Sequence, residues 1–153
     1  MKKIASFCVD HNKIIPGVYI SRIDDDLTTF DIRMVKPNTE PFLDYPVIHS
    51  IEHLFATFAR NSYAKDNVIY FGPMGCRTGF YFLVRNMKNK DALALIKDIF
   101  KDISCYKGQL PGCKKEECGN YLEQDLNGAI KASNTFYQVI KNLSEYNLDY
   151  NNL

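Results

Sequence analysis

One stretch of this chain has to be an apolar core helix and also a carrier of two histidines, and that double duty constrains the fold more than any other feature. From Pro46 onward, apolar residues fall at 47, 48, 51, 54, 55 and 58, a helical period that must face a core. His49 and His53 lie four residues apart, so their imidazoles emerge on one face and can close on a single metal ion. The helix must therefore lie at the border between core and cleft. Glu52 stands one residue before His53, displaced around the helix. From there it can overhang an ion and move protons without entering the coordination sphere. The alternative is a helix whose histidines merely line an exposed face, because a pattern as short as HxxEH also arises by chance. A third ligand has to decide.

At 153 residues the chain is expected to form one domain, residues 1–153, with enough apolar material to build a core. Gly17 to Ile23 and Leu27 to Val35 read as strands split by the turn Asp24-Asp25-Asp26. Lys36 to Pro46 holds three prolines and reads as a loop, with Pro46 suited to a first helical turn. Val68 to Phe71 and Thr78 to Val84 read as further strands around the turn Gly72-Pro73-Met74-Gly75. Helices are expected from Asn89, as cap, to Tyr106 and from Leu122 to about Leu143, with an Asn-rich end that frays. Strands joined by short turns and interleaved with helices predict an α+β fold, a mainly antiparallel sheet with helices packed on one face.

A formal net charge of +1 advertises neither nucleic acid nor an anionic membrane as partner. No apolar run reaches membrane-spanning length, and Asp10, His11 and Lys13 interrupt the start before an export signal can form. Five cysteines, an odd number, fit a reducing cytoplasm in which thiols act as ligands or catalysts.

Two of those cysteines have informative settings. Cys118 is followed by Gly119 and stands before the last expected helix, where a thiolate can reach an ion and a helix N-terminus favours the anion. Two imidazoles and one thiolate leave an open position, the mark of a catalytic rather than a structural site. Cys76 stands where the glycines of a turn meet a strand. The adjacent Arg77 is placed to lower the thiol pKa from about 8.5, which would suit acid–base work or nucleophilic attack. In isolation each could equally be a small buried residue. Cys8, Cys105 and Cys113 have no comparable setting. Ser6, His11 and Arg33 add polar groups without a signature of their own.

Taken together and in order, the segments Ser6-Phe7 with Asp10-His11-Asn12, Phe30-Asp31-Ile32-Arg33, His49-x-x-Glu52-His53-Leu54, Pro73-Met74-Gly75-Cys76-x-Thr78-Gly79 and Cys118-Gly119 resemble the S-ribosylhomocysteine lyase (LuxS) family. The resemblance covers nearly the whole chain. It implies that His49, His53 and Cys118 hold one divalent metal per subunit, usually Fe2+, with Zn2+ or Co2+ able to substitute. It also implies that Glu52 and Cys76 are the two acid–base residues and that Ser6, His11 and Arg33 line the substrate pocket. A homodimer with active sites at the interface is implied as well, as is release of homocysteine and the autoinducer-2 precursor from S-ribosylhomocysteine. One departure stands out. The family commonly has Asp-Ile-Ser before Pro-Met-Gly-Cys, whereas this chain has Tyr70-Phe71-Gly72.

Two other readings follow from the residues. One is a small HxxEH metallohydrolase, in which Glu52 activates water and Cys76 is dispensable. The other is a metal-binding or sensor protein whose site is closed by a fourth side chain such as Cys113.

Overall fold

The computed structural model describes residues 1, 2, 4 and 7–152. Strand β1 (Gly17–Asp24) turns through Asp25 and Asp26 into β2 (Leu27–Arg33). Helix α1 (Tyr45–Arg60) follows, then strands β3 (Val68–Pro73) and β4 (Gly79–Arg85), then helices α2 (Asn89–Ser104) and α3 (Leu126–Ile140). The four strands form one antiparallel sheet in the order β1–β2–β4–β3. The expected α+β class and antiparallel sheet are thus present.

Alternation along the strands decides which side the helices cover. Val18, Phe30, Ile32, Phe80, Phe82 and Val84 enter a core shared with Ile48, Ile51, Leu54 and Phe55 of α1, Ile96 and Phe100 of α2, and Phe136 of α3. Tyr19, Asp31 and Tyr81 lie opposite one another in the strand register and point to the other face. Aromatic packing knits the covered side. The Phe55 ring stacks on Phe71 at 3.8 Å between centroids and meets Phe82 and Phe100 at 5.1 and 5.4 Å. Among the described residues, no helix is long and apolar enough to cross a membrane.

Several boundaries differ from expectation, for reasons of hydrogen bonding. Asn89 is the first helical residue of α2 rather than its cap, because the Lys88 carbonyl already accepts from Asp91 and Ala92. β3 continues through Gly72 and Pro73, which still pair with Tyr81 and Phe80, so the turn falls at residues 74–77. β2 stops at Arg33, and α2 and α3 end at Ser104 and Ile140, short of Tyr106 and Leu143. α3 starts at Leu126, four residues later than expected, where the Asp125 carboxylate caps the Gly128 amide at 2.8 Å. The C-terminal end forms two 3₁₀ turns, Glu145–Leu148 and Tyr150–Asn152, with Leu148 buried in the core.

Replacing Phe55 by alanine should lower the unfolding free energy by about 3–5 kcal/mol, because a fully buried ring is lost and little can collapse into its place. Urea denaturation followed by circular dichroism measures this.

Candidate metal centre and neighbouring thiol

His49 and His53 project from α1 with their rings edge to face, 4.6 Å between centroids. Each ring is oriented by a backbone carbonyl. His49 Nδ1 donates to Glu123 at 2.8 Å, and His53 Nδ1 donates to Pro111 at 2.7 Å. A donating Nδ1 leaves Nε2 as the lone-pair nitrogen, the tautomer a metal ion requires. Cys118 Sγ lies 3.3 Å from His49 Nε2. Two donors of one tetrahedral ion with roughly 2.0 Å nitrogen and 2.3 Å sulfur bonds would stand about 3.5 Å apart. All three ligand atoms fall within 4.8 Å of one another. The residues present therefore fit a divalent metal, and the donor set is compatible with iron, zinc or cobalt.

Cys118 does not sit at a helix mouth as its sequence position suggested, because α3 begins eight residues later. It lies in the turn-rich segment between α2 and α3, and the Asn120 amide points at its sulfur at 3.5 Å. What fixes this segment against α1 is Ser50, between the two histidines. Its hydroxyl donates to Pro46 at 2.8 Å and accepts from the Asp125 amide at 2.7 Å. The Pro111–Gly112 loop closes the other side. Gly112 has φ +68°, and a Cβ there would stand 2.5 Å from His53 Nδ1. Both left-handed backbone and close approach require glycine. Cys113 packs against the hydrophobic core, and the ligand cluster found among the described residues contains only His49, His53 and Cys118.

Cys76 occupies a second cluster. The turn is closed by the Arg77 amide on the Met74 carbonyl at 3.0 Å, and the Arg77 carbonyl in turn accepts from Leu43. Arg77 itself carries the left-handed φ of 60°. Its guanidinium turns away from the thiol to lie over Tyr45 and Phe42, 5.1 and 5.8 Å from the ring centroids. The cation facing Cys76 is instead Arg33. Its Nη1 stands 4.0 Å from Cys76 Sγ and 2.6 Å from Thr78 Oγ1, which is itself 3.0 Å from the sulfur. Arg33 is 2% exposed and holds Asp31 through two bonds, Nε to Oδ1 at 3.1 Å and Nη2 to Oδ2 at 2.6 Å. Burial works against its charge, but the Asp31 hydrogen bonds, then the nearby charges of Asp31, Cys76 and Tyr150, raise its pKa above the ordinary value.

A polar cavity of about 10 Å³ lies beside this pair, lined in part by His11, Asp31, Arg33, Tyr81 and Tyr150. The structure thus brings His11 and Arg33 to the lining of one cavity. His11 is held by its Nδ1 donating to Val9 at 2.9 Å. Ser6 lies outside the described residues. Tyr70 and Gly72, which depart from the common family form, are coupled: a Cβ on Gly72 would collide with the Tyr70 phenol laid across it. Glu52, half-buried on α1, and Cys76 stand apart from the ligand cluster. Sequence reading missed Ser50, Gly112 and Tyr150. Only Gly112 carried a local signal, the turn-forming Pro-Gly pair.

A triad of two imidazoles and a thiol, with a second thiol under a guanidinium, defines a candidate mononuclear metal enzyme of mixed nitrogen and sulfur ligation. Residues 4–146 match the family model for S-ribosylhomocysteinase (LuxS), and the chain belongs to that family. It is 48% identical to the S-ribosylhomocysteine lyase of Finegoldia magna over 98% of this chain and 99% of that protein. Identity to the lyase of Clostridium beijerinckii is 46%, over 99% of this chain and 100% of that one. The lyase of Borreliella afzelii is 44% identical over 98% and 99%.

His53→Ala should strip the metal. Gly112→Ala, which touches no ligand bond, should weaken metal binding about 10–100-fold by displacing the His53 ring and its carbonyl partner. Metal content by plasma mass spectrometry after dialysis against a graded chelator measures both.

Proposed function

We propose that this chain, acting as one domain over residues 1–153, cleaves S-ribosylhomocysteine to homocysteine and 4,5-dihydroxy-2,3-pentanedione, the autoinducer-2 precursor. The observation that carries the reading is the pairing, on a chain of this family, of the His49–His53–Cys118 triad with a separate thiol held between Arg33 and Thr78. The C5–S thioether does not hydrolyse readily. It becomes labile once the sugar carbonyl has migrated from C1 through C2 to C3, which places the bond β to a carbonyl. Each migration takes a proton from one carbon and returns one to its neighbour. Elimination then removes the C4 proton, the electron pair forms a C4–C5 double bond, and sulfur leaves with the C5–S electrons and is protonated. The resulting enol loses its C4 hydroxyl proton and gains one at C5, giving the methyl ketone of the dione.

A divalent ion held by His49, His53 and Cys118, which we take to be Fe2+ with Zn2+ or Co2+ as alternatives, would supply Lewis-acid stabilisation of negative charge developing on the sugar oxygens. The chain's own groups move the protons. Glu52 offers its carboxylate from the same helical turn as the ligands, and Cys76 Sγ offers a thiol under a fixed cation. His11 and Arg33, with Ser6, are proposed to bound the substrate. A thiolate ligand and a thiol acid–base group both work best in a reducing compartment, which supports a cytoplasmic location.

We also propose a symmetric homodimer with the active sites at its interface. The sheet face away from the helices carries an open groove in which Ile4, Tyr70, Tyr81 and Leu83 take part. The N-terminal residues Ile4 and Phe7 project exposed. A second copy meeting this face would cover both and bring one chain's N-terminal segment to the other's site.

Mixing metal-loaded protein with S-ribosylhomocysteine and a thiol reagent should release free homocysteine. Cys76→Ala and Glu52→Gln should keep the metal while losing about 10²–10⁴-fold in turnover. Near-normal turnover by Cys76→Ala would favour the metallohydrolase reading. Sedimentation velocity at assay concentration should give twice the 17.6 kDa chain mass, and an active monomer would count against the shared site.

A further inference from the structure

The C-terminal 3₁₀ turn Tyr150–Asn152 reaches back to the ion pair behind Cys76. Tyr150 donates its hydroxyl to Asp31 Oδ2 at 2.6 Å, the same oxygen that accepts Arg33 Nη2. Its ring stacks on Tyr19, 4.7 Å between centroids and 15° from parallel, and the Tyr19 hydroxyl is tied to the Ile15 carbonyl at 2.8 Å. Residues 119 positions apart in sequence thereby share one carboxylate. Building on the assignment of Cys76 as a proton-transfer group, we propose that Tyr150 is a positioning residue for Cys76, acting through Asp31 and Arg33.

The physical reason lies in how Asp31 divides its charge. Both of its oxygens are bonded to the Arg33 fork, which leaves Nη1 for Thr78 and the Cys76 sulfur. A neutral donor on Oδ2 spreads part of the carboxylate charge onto Tyr150, so more of the Arg33 positive field is left for the thiol. Without that hydroxyl the carboxylate neutralises Arg33 more completely, and Cys76 ionises less readily. The other groups around the thiol do not supply this effect. Arg77, on its own turn, is stacked away on Tyr45 and Phe42. Tyr81 of β4 stays protonated, its pKa raised by burial and then by Asp31, and the Tyr150 pKa is raised by the same causes in the same order. Thr78 carries no charge, and His11 lines the cavity that Asp31 and Arg33 share.

The test follows alkylation of Cys76 by iodoacetamide as a function of pH, by peptide mass spectrometry, in metal-loaded wild type, Tyr150→Phe and a chain ending at Asp149. Tyr150→Phe keeps the stacked ring and removes only the donor. It should move the midpoint upward, slowing alkylation at pH 7 by about three- to tenfold, tenfold being one pKa unit. The rate at high pH should stay unchanged, and the acid limb of kcat/KM should move with the midpoint. The shortened chain, where it folds, should shift at least as far. An unchanged Cys76 profile in Tyr150→Phe overturns the proposal even if thermal stability falls, because Tyr150 would then only close the fold. Alkylation reads the contact without turnover. A protein that shows the shift but releases no homocysteine supports this inference and overturns the proposed reaction.

Discussion

The rotation of α1 about its own axis is the constraint on which the site depends, and aromatic packing sets it. Phe55 is wedged among Phe71, Phe82 and Phe100, with Ile48, Ile51 and Leu54 buried on the same stripe. A helix so packed cannot roll without opening a void or forcing side chains off their rotamers. His49 and His53 stand on the flank of that stripe, so their direction is inherited from the core. Two carbonyls then select the tautomer that leaves both Nε2 atoms available. The direction of the candidate ligands is therefore partly a property of hydrophobic packing.

The second cluster depends on the opposite face of the sheet. Alternation along β2 sends Phe30 and Ile32 into the core and Asp31 and Arg33 away from it. A buried ion pair is weak as a source of stability, because desolvation offsets most of the attraction. Its role here is one of placement: it fixes a buried guanidinium 4.0 Å from the exposed Cys76 sulfur. Burial and the same carboxylate push the Tyr19 pKa up to about 12, so the aromatic wall around the pair stays neutral. The imidazole–thiol triad lies on α1 and its flanking loops, and the Cys76 cluster lies on the sheet face away from the helices.

Tyr70 and Gly72 show how a departure in sequence can be absorbed locally. The bulky phenol lies where a residue 72 side chain would be, so a side chain at 72 would require the Tyr70 ring to turn away. The backbone around Cys76 is held independently, by the closed turn at residues 74–77 and by the Leu43 contact with Arg77.

The chain's own order of residues determined the helix that carries the histidines and the antiparallel strands. These rest on local periodicity and short spacing, which a linear reading can measure. The last helix started later than its apolar pattern suggested because Asp125 caps it locally and is itself anchored by Ser50, 75 residues upstream. The cation beside Cys76 was misassigned to its neighbour Arg77 for a similar reason: Arg33, 43 residues away, reaches the sulfur only once β2 and β4 are paired. The Asn-rich end looked free to fray, since nothing local holds it, yet Tyr150 finds Asp31 119 residues upstream. Periodicity says which face a side chain takes. Only the folded chain decides which distant polar group it meets there, because such pairs form through the packing of whole elements.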